Sequence, residues 1–256
     1  MRIFDRMFRN NILIWAMSVL PILGLYGQDS SDKGGAILVN FGLGLQLPGG
    51  DLSERFGFNS AVGGGVEYVF KKDTWGIELT GDFMFGRRVK TDVLDNIRTS
   101  DGIVIGRDFF PADIFLRERG WYTFLQMNRY MDFTESPDFF GLRLGLGAGW
   151  MQHWIRLQDD NNTADQVRPP YDQGYDRLTE GIALKQFIGV QYLDDRERIN
   201  FYVGVEFFEG ITKSVRAFNF DERRKDNDTR LDLLFGLKFG WTLPLYFEDS
   251  GEEVFY

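Results

Sequence analysis

The sequence predicts an all-β fold: an antiparallel up-and-down transmembrane β-barrel of about eight strands, with long external loops and short periplasmic turns. Three observations lead there. Apolar side chains alternate along segment after segment, which is the period of a strand and not of a helix. The face opposite the apolar one is built largely of glycine, which suits a cramped interior better than a solvent-facing sheet. Every second connection is long.

The first element is a leader. Arg2, Arg6 and Arg9 form a basic start, residues 12–23 are apolar, and Gly24-Leu25-Tyr26-Gly27 places small residues ahead of Gln28. That is the layout of a secretory signal peptide cleaved after Gly27. The apolar run is shorter than the roughly 20 residues of a spanning helix, and Pro21 interrupts it. The barrel is then expected over residues 28–246, with 247–256 as a short acidic periplasmic tail.

The strands follow in order. Ile37, Val39, Phe41, Leu43, Leu45 and Leu47 oppose Asn40, Gly42, Gly44 and Gln46. Val62, Val66 and Tyr68 oppose Gly63, Gly65 and Glu67; Trp75, Ile77, Leu79, Phe83 and Phe85 oppose Gly76, Glu78, Thr80 and Asp82. The fourth segment is less clean, with Trp121, Thr123, Leu125 and Met127 against Tyr122, Phe124, Gln126 and Asn128. The fifth sets Phe140, Leu142, Leu144, Leu146, Ala148 and Trp150 against Arg143 and four glycines. Ile182, Leu184, Ile188, Val190 and Tyr192 form the apolar face of the sixth, Phe201, Val203, Val205 and Phe207 that of the seventh, and Leu231, Leu233, Phe235, Leu237, Phe239 and Trp241 that of the eighth. A soluble sandwich or lipocalin-like barrel also alternates. It would put the bulky face inside, however, and leave a glycine-rich surface in water. The connections expected outside are 48–56, 88–120, 157–178 and 213–229; those expected inside are 71–74, 132–138 and 194–198. A barrel must close, because hydrocarbon satisfies no unpaired backbone group at an open edge.

Composition narrows the chemistry. A formal charge of −9 and a pI of about 4.8 argue against nucleic acid as a partner. The absence of cysteine excludes disulfides, thiolate metal sites and a cysteine nucleophile, and a single histidine excludes two-histidine metal sites. A mean hydropathy of −0.26 is too polar for a bundle of membrane helices.

The closing run Gly236-Leu237-Lys238-Phe239-Gly240-Trp241-Thr242-Leu243-Pro244-Leu245-Tyr246, together with Gln28 as the first mature residue, resembles small bacterial outer-membrane barrels of the OmpA/OmpX/OmpW kind, and of the Bacteroidota type in particular. The resemblance covers the mature chain and implies an outer-membrane location. It departs from the family in the ten residues that follow Tyr246.

Candidate sites follow from parity. Glu67, Glu78, Asp82, Arg143, Lys185, Glu206, Asp232 and Lys238 point inward, so five acids meet three bases and must pair as a charge network that plugs the lumen. Tyr68, Phe70, Trp75, Trp150, Tyr192, Trp241 and Tyr246 sit where an interfacial girdle belongs. Arg117, Arg119, Tyr171, Arg223 and Arg224 are loop contact candidates, toward lipopolysaccharide phosphate or a partner protein. His153 is inward near the outer end of its strand, an ordinary rim histidine unless an acid and a nucleophile join it. Asp159, Asp160 and Asp165, and Asp226 with Asp228, lack the spacing of a calcium loop. No metal, cofactor or catalytic residue is expected. The function expected is that of a non-enzymatic barrel, a structural or accessory subunit of a larger outer-membrane complex. A narrow ion or small-solute channel, and a membrane-embedded hydrolase or acyltransferase, are the alternatives.

Overall fold

A computed structural model describes residues 35–70, 74–134, 138–194 and 199–246. The leader, the acidic tail and most of the three expected periplasmic turns lie outside the described residues. The elements are β1 (Ala36–Gly50), the helical turn α1 (Leu52–Arg55), β2 (Asn59–Val69), β3 (Trp75–Gly86), β4 (Val104–Ile105), β5 (Pro111–Ala112), β6 (Ile114–Asp132), β7 (Phe139–Asp159), β8 (Thr179–Leu193), β9 (Asn200–Ser214) and β10 (Thr229–Tyr246). Among the described residues, eight strands close one antiparallel barrel in the order β1-β10-β9-β8-β7-β6-β3-β2, and β4 pairs with β5 as a separate small hairpin. The first strand joins the last over its full length, from Ala36↔Tyr246 to Gly50↔Asp232. The predicted fold class and strand number therefore hold.

The register fixes the barrel's shape. From Trp241 the cross-strand partners run through Phe41, Gly64, Gly81, Thr123, Trp150, Ile182 and Ile211, returning to β10 at Leu231, ten positions from the start. Such a stagger over eight strands tilts them by about 40° and leaves a lumen just wide enough for side chains.

Parity divides the residues as alternation predicts. Phe41, Leu79, Leu125, Ile188, Val205 and Leu237 are exposed on the outer face, while Asn40, Thr80, Gln126, Gln191, Glu206 and Lys238 are buried inside. The inward glycines make room for larger neighbours. A Cβ at Gly42 would come within 2.7 Å of Lys238 Cε, and one at Gly145 within 2.7 Å of Asn128 Oδ1.

The four external connections are in the predicted places, but their bounds need correction. β6 begins at Ile114 and β7 continues to Asp159, so residues 114–120 and 157–159 are paired strand and not loop. The reason is a change of phase. Below Trp121 the outward positions of β6 are Thr123, Leu125 and Met127, whereas above it Arg119, Arg117 and Phe115 point outward and Ile114 and Leu116 turn toward the core. Once the strand leaves hydrocarbon, polar side chains belong on its outer face. An expectation of one unbroken apolar face then ends the strand too early.

Candidate functional site

The lumen is filled in layers, beginning at the end where Ala36 pairs with Tyr246. Leu38, Ala36 and Tyr130 form a small apolar cluster with Val69 and Phe139. Above it Glu67 and Glu78 share Arg143, whose Nη2 lies 3.2 Å from one carboxylate and 2.5 Å from the other. Asn128 donates to Glu67 at 2.9 Å, the Tyr130 hydroxyl to Glu67 at 2.8 Å, and Asn40 to Glu78 at 2.8 Å. Gln191 accepts from Arg143 at 3.2 Å and donates to Thr242, which donates to Asn40. The guanidinium sits among the rings of Tyr130, Phe187 and Tyr202, at 5.4–5.8 Å. Two carboxylates could not share this space without the cation.

The middle layer holds two further ion pairs, Lys185–Glu206 at 2.8 Å and Lys238–Asp82. A small cavity of about 20 Å³, room for a single water, remains between these groups and Arg143. Over it Tyr122, Phe124 and Phe208 pack with ring centroids 4.9–5.8 Å apart, and Gln46 donates to the Tyr122 hydroxyl at 2.9 Å.

The outermost layer combines barrel and loop. His153 Nε2 lies 2.8 Å from Asp232 Oδ2, and Thr212 donates to the same oxygen at 2.5 Å. Arg55, on α1, reaches down from the first external loop, donating to Thr179 at 3.0 Å and lying 3.8 Å from Asp232. Burial lowers the Arg55 pKa from the usual guanidinium value, opposed by the Asp232 carboxylate. Phe56 sets its ring edge-on to His153 at 5.8 Å. Glu118, also inward, accepts from Asn59 at 3.0 Å.

Above this the loops form a cap with an apolar core of its own. Leu52 and Phe56 of the first loop, Val93, Leu94 and Val104 of the second, and Ala164, Val167 and Tyr175 of the third pack in one cluster with Met151, Ile155 and Leu234 of the wall. The fourth loop is tied to the third: Phe220 donates its backbone N–H to the Gly174 carbonyl, Arg177 pairs with Asp221 and Glu222, and Arg216 with Asp176. The carboxylates that hold Arg177 and Arg216 raise both guanidinium pKa values, against the opposing effect of burial. Asp226 is held below the usual carboxylate range: burial opposes this, but Arg230 donates to it at 2.5 Å.

All eight inward charges singled out from the sequence are buried in the barrel. Seven meet in one mid-lumen region, whereas Asp232 belongs to the histidine layer. His153 is no rim residue. It is 0% exposed beneath the cap, because α1 and Phe56 fold over it. Sequence reasoning missed Glu118, whose parity matches Tyr122 but which fell in the supposed loop, and Arg55, which a loop delivers and no strand periodicity signals.

Tyr68, Phe70, Trp150 and Trp241 are exposed on the outer face; Trp75 and Tyr192 are partly covered, Trp75 by Arg129 at 5.0 Å. The side chain of Tyr246 lies outside what is described. Of the loop candidates, Tyr171 is exposed in a 3₁₀ turn and Arg224 is paired with Glu222 and Asp228. Arg223 occupies a left-handed conformation at φ 52. Arg117 and Arg119 are corrected to strand positions on β6. The loop carboxylates weighed as calcium ligands have other uses. Asp159 accepts the Ala164 N–H, Asp165 pairs with Arg168, and Asp226 with Arg230.

A closed eight-stranded barrel, apolar without and polar within, is the architecture of a small transmembrane β-barrel. No protein-family model matches the sequence, and no curated protein matches it. Among solved structures the chain is similar to Ail, the attachment invasion locus protein of Yersinia pestis, solved in complex with the heparin analogue sucrose octasulfate, with 12% identity and a TM-score of 0.39 over 82% of this chain and 99% of that one. It is also similar to the N-terminal β-barrel domain of Pseudomonas aeruginosa OprF, with 13% identity and a TM-score of 0.35 over 84% of this chain and 99% of that one. The likeness is one of fold.

Proposed function

We propose that this chain is a non-enzymatic barrel of a bacterial outer membrane whose lumen is plugged and whose outer cap is the working surface. In that role it is a structural or accessory subunit of a larger export, uptake or assembly complex, in contact with outer-leaflet lipid. The observation that carries the reading is the unbroken column of buried side chains from Tyr130 through Arg143, Lys238, Tyr122 and His153 to Phe56. A column of this kind supports a plug over an open path. The cap meanwhile presents apolar side chains to the outside, above all Phe109, 90% exposed, and Phe110, at the tip of the β4–β5 hairpin. Exposed aromatic side chains on an ordered surface mark contact sites.

The test is conductance. Full-length protein folded into planar bilayers should give no unitary current, and stepwise currents at neutral pH would overturn the plug. Cross-linking from a photoreactive residue at position 109 then reads out the partner in intact cells, and Phe109→Ser should abolish the adduct formed from position 110.

The mid-lumen cavity between Asp82, Lys185, Arg143 and Glu206 supports a narrow channel as the second reading, decided by the same currents. The His153–Asp232 pair is the feature an esterase or acyltransferase would use. Thr212 is spent on Asp232, and among the described residues His153 Nδ1 has no hydrogen-bond partner and no hydroxyl stands poised beside it as nucleophile. A phenotype lost with His153→Ala but retained with His153→Gln would speak for packing, not for chemistry.

A further inference from the structure

From the outer face of β6 and β7 we infer that this barrel carries a site for the phosphate of an outer-leaflet lipid, formed by Arg117, Arg119 and Arg156 with Arg87 beside them. The inference rests on the membrane-barrel reading above. Arg117 stands directly opposite Arg156 in the register, and Arg119 opposite Trp154, one step nearer the membrane. Directly opposed side chains have Cβ atoms about 5 Å apart, where like charges are destabilising. Besides burial, Arg156 and Arg117 both weigh against the charge of Arg119, with the smaller opposing effect of Glu118. Arg87 follows Gly86, whose cross-strand partner is Glu118, and so emerges at the same corner.

The counter-charge is missing. Elsewhere on the cap Arg98, Arg168, Arg177, Arg216, Arg224 and Arg230 each meet a carboxylate. Among the described residues none of the four arginines at this corner does. Arg117 lies over the Phe115 ring at 5.3 Å, and Arg119 donates at 2.7 Å to the Glu118 carbonyl. The Glu118 carboxylate itself points away, into the barrel, onto Asn59. A sheet that places two arginines opposite one another and turns the intervening carboxylate inward has left its compensating charge to a ligand.

Depth selects the ligand. Trp121 donates to Gln152 at 2.8 Å on the outer face, and below it come Thr123, Leu125 and Met127, the last two exposed. The indole marks the level where hydrocarbon ends. Arg119 lies two residues above it, and Arg117 two further. A lipid headgroup phosphate occupies that height, and planar guanidinium forks bind a phosphate bidentately.

The full chain is folded into phosphatidylcholine vesicles doped either with diphosphoryl lipid A or with the same lipid stripped of phosphate. After extraction in mild detergent, retained lipid is counted by native mass spectrometry. The wild type should keep the phosphorylated lipid and not the stripped one. Arg156→Gln should weaken retention by tenfold or more, as expected for one lost charge-assisted contact, and Lys213→Gln, elsewhere on the rim, should not. Neutralising Arg156 relieves a like-charge contact, so this variant should unfold at the wild-type temperature or above in undoped vesicles, which separates lost binding from lost fold. Equal retention of the two lipids, or undiminished retention by Arg156→Gln, overturns the site. Equally tight binding of soluble inositol hexakisphosphate would also overturn it, as a surface for free polyanions. A chain that does not float with vesicles at all sinks the membrane reading beneath it, whereas one that floats without preferring phosphate sinks only this inference.

Discussion

Arg143 illustrates how a single side chain organises the lumen. Its guanidinium is the common partner of Glu67 and Glu78, both buried, so Arg143→Met leaves two carboxylates with each other. Breaking a buried ion pair from one side costs about 3–5 kcal/mol. The expected outcome is a large drop in the urea midpoint of the vesicle-embedded protein, partly restored when Glu78→Gln is added. If Arg143→Met unfolds at the wild-type midpoint, the network does not hold the barrel. Glu209 makes the opposite case. It points outward on β9 between Leu184 and Leu233, half-buried and with no polar partner among the described residues. A lipid-facing carboxylate near the interface is mildly unfavourable. Glu209→Leu should therefore stabilise the barrel in vesicles by about 1 kcal/mol, measured as a raised urea midpoint.

Among the elements, α1 is small but lies over the outermost layer of the lumen. Its four residues lead into Phe56, which is fully buried against His153, and supply Arg55 to Thr179 and Asp232. Phe56→Ala removes a buried aromatic at a cost of about 3–5 kcal/mol. That energy links a loop to a barrel mouth, so the loss should be local. Hydrogen exchange is expected to accelerate in residues 51–58 and at the outer ends of β7 and β10, with the lower halves of the strands unchanged. Uniform acceleration through the barrel would mean that plug and wall unfold together. The long β6–β7 pair is the other element with its own role, because it carries strand structure from the lipid zone into the cap and sets the height at which its arginines stand.

For the molecule as a whole, the ion pairs of the cap predict how it responds to pH. Arg230 holds Asp226 below its ordinary value, so that carboxylate stabilises the fold above the ordinary carboxylate pKa of about 4 and loses its contribution as pH falls through the depressed one. Arg177 and Arg216 have raised pKa values and remain charged at neutral pH. Protease resistance of the external loops should accordingly stay constant from pH 8 to pH 5, within the range where these pairs are intact, and fall only below about pH 4. Loops that open near pH 6 would contradict this.

Period-two orientation is decided residue by residue. Alternation alone therefore reveals the strands, their inward face and the four long connections, and Glu67, Arg143 and Lys238 can be assigned to the lumen from their parity. The leader and the acidic tail rest on that reading, outside the described residues. Partnership among the inward charges is another matter. Which base meets which acid depends on the ten-residue stagger of the closed sheet, a property of all eight strands at once, and so Asp232 meets His153 while Arg143 takes both glutamates. Arg55 enters the lumen from a loop whose path obeys no period, and β6 changes its outward chemistry where the surroundings change from hydrocarbon to water. Local pattern records the direction a side chain takes; distance between strands far apart in the chain exists only once the barrel has closed.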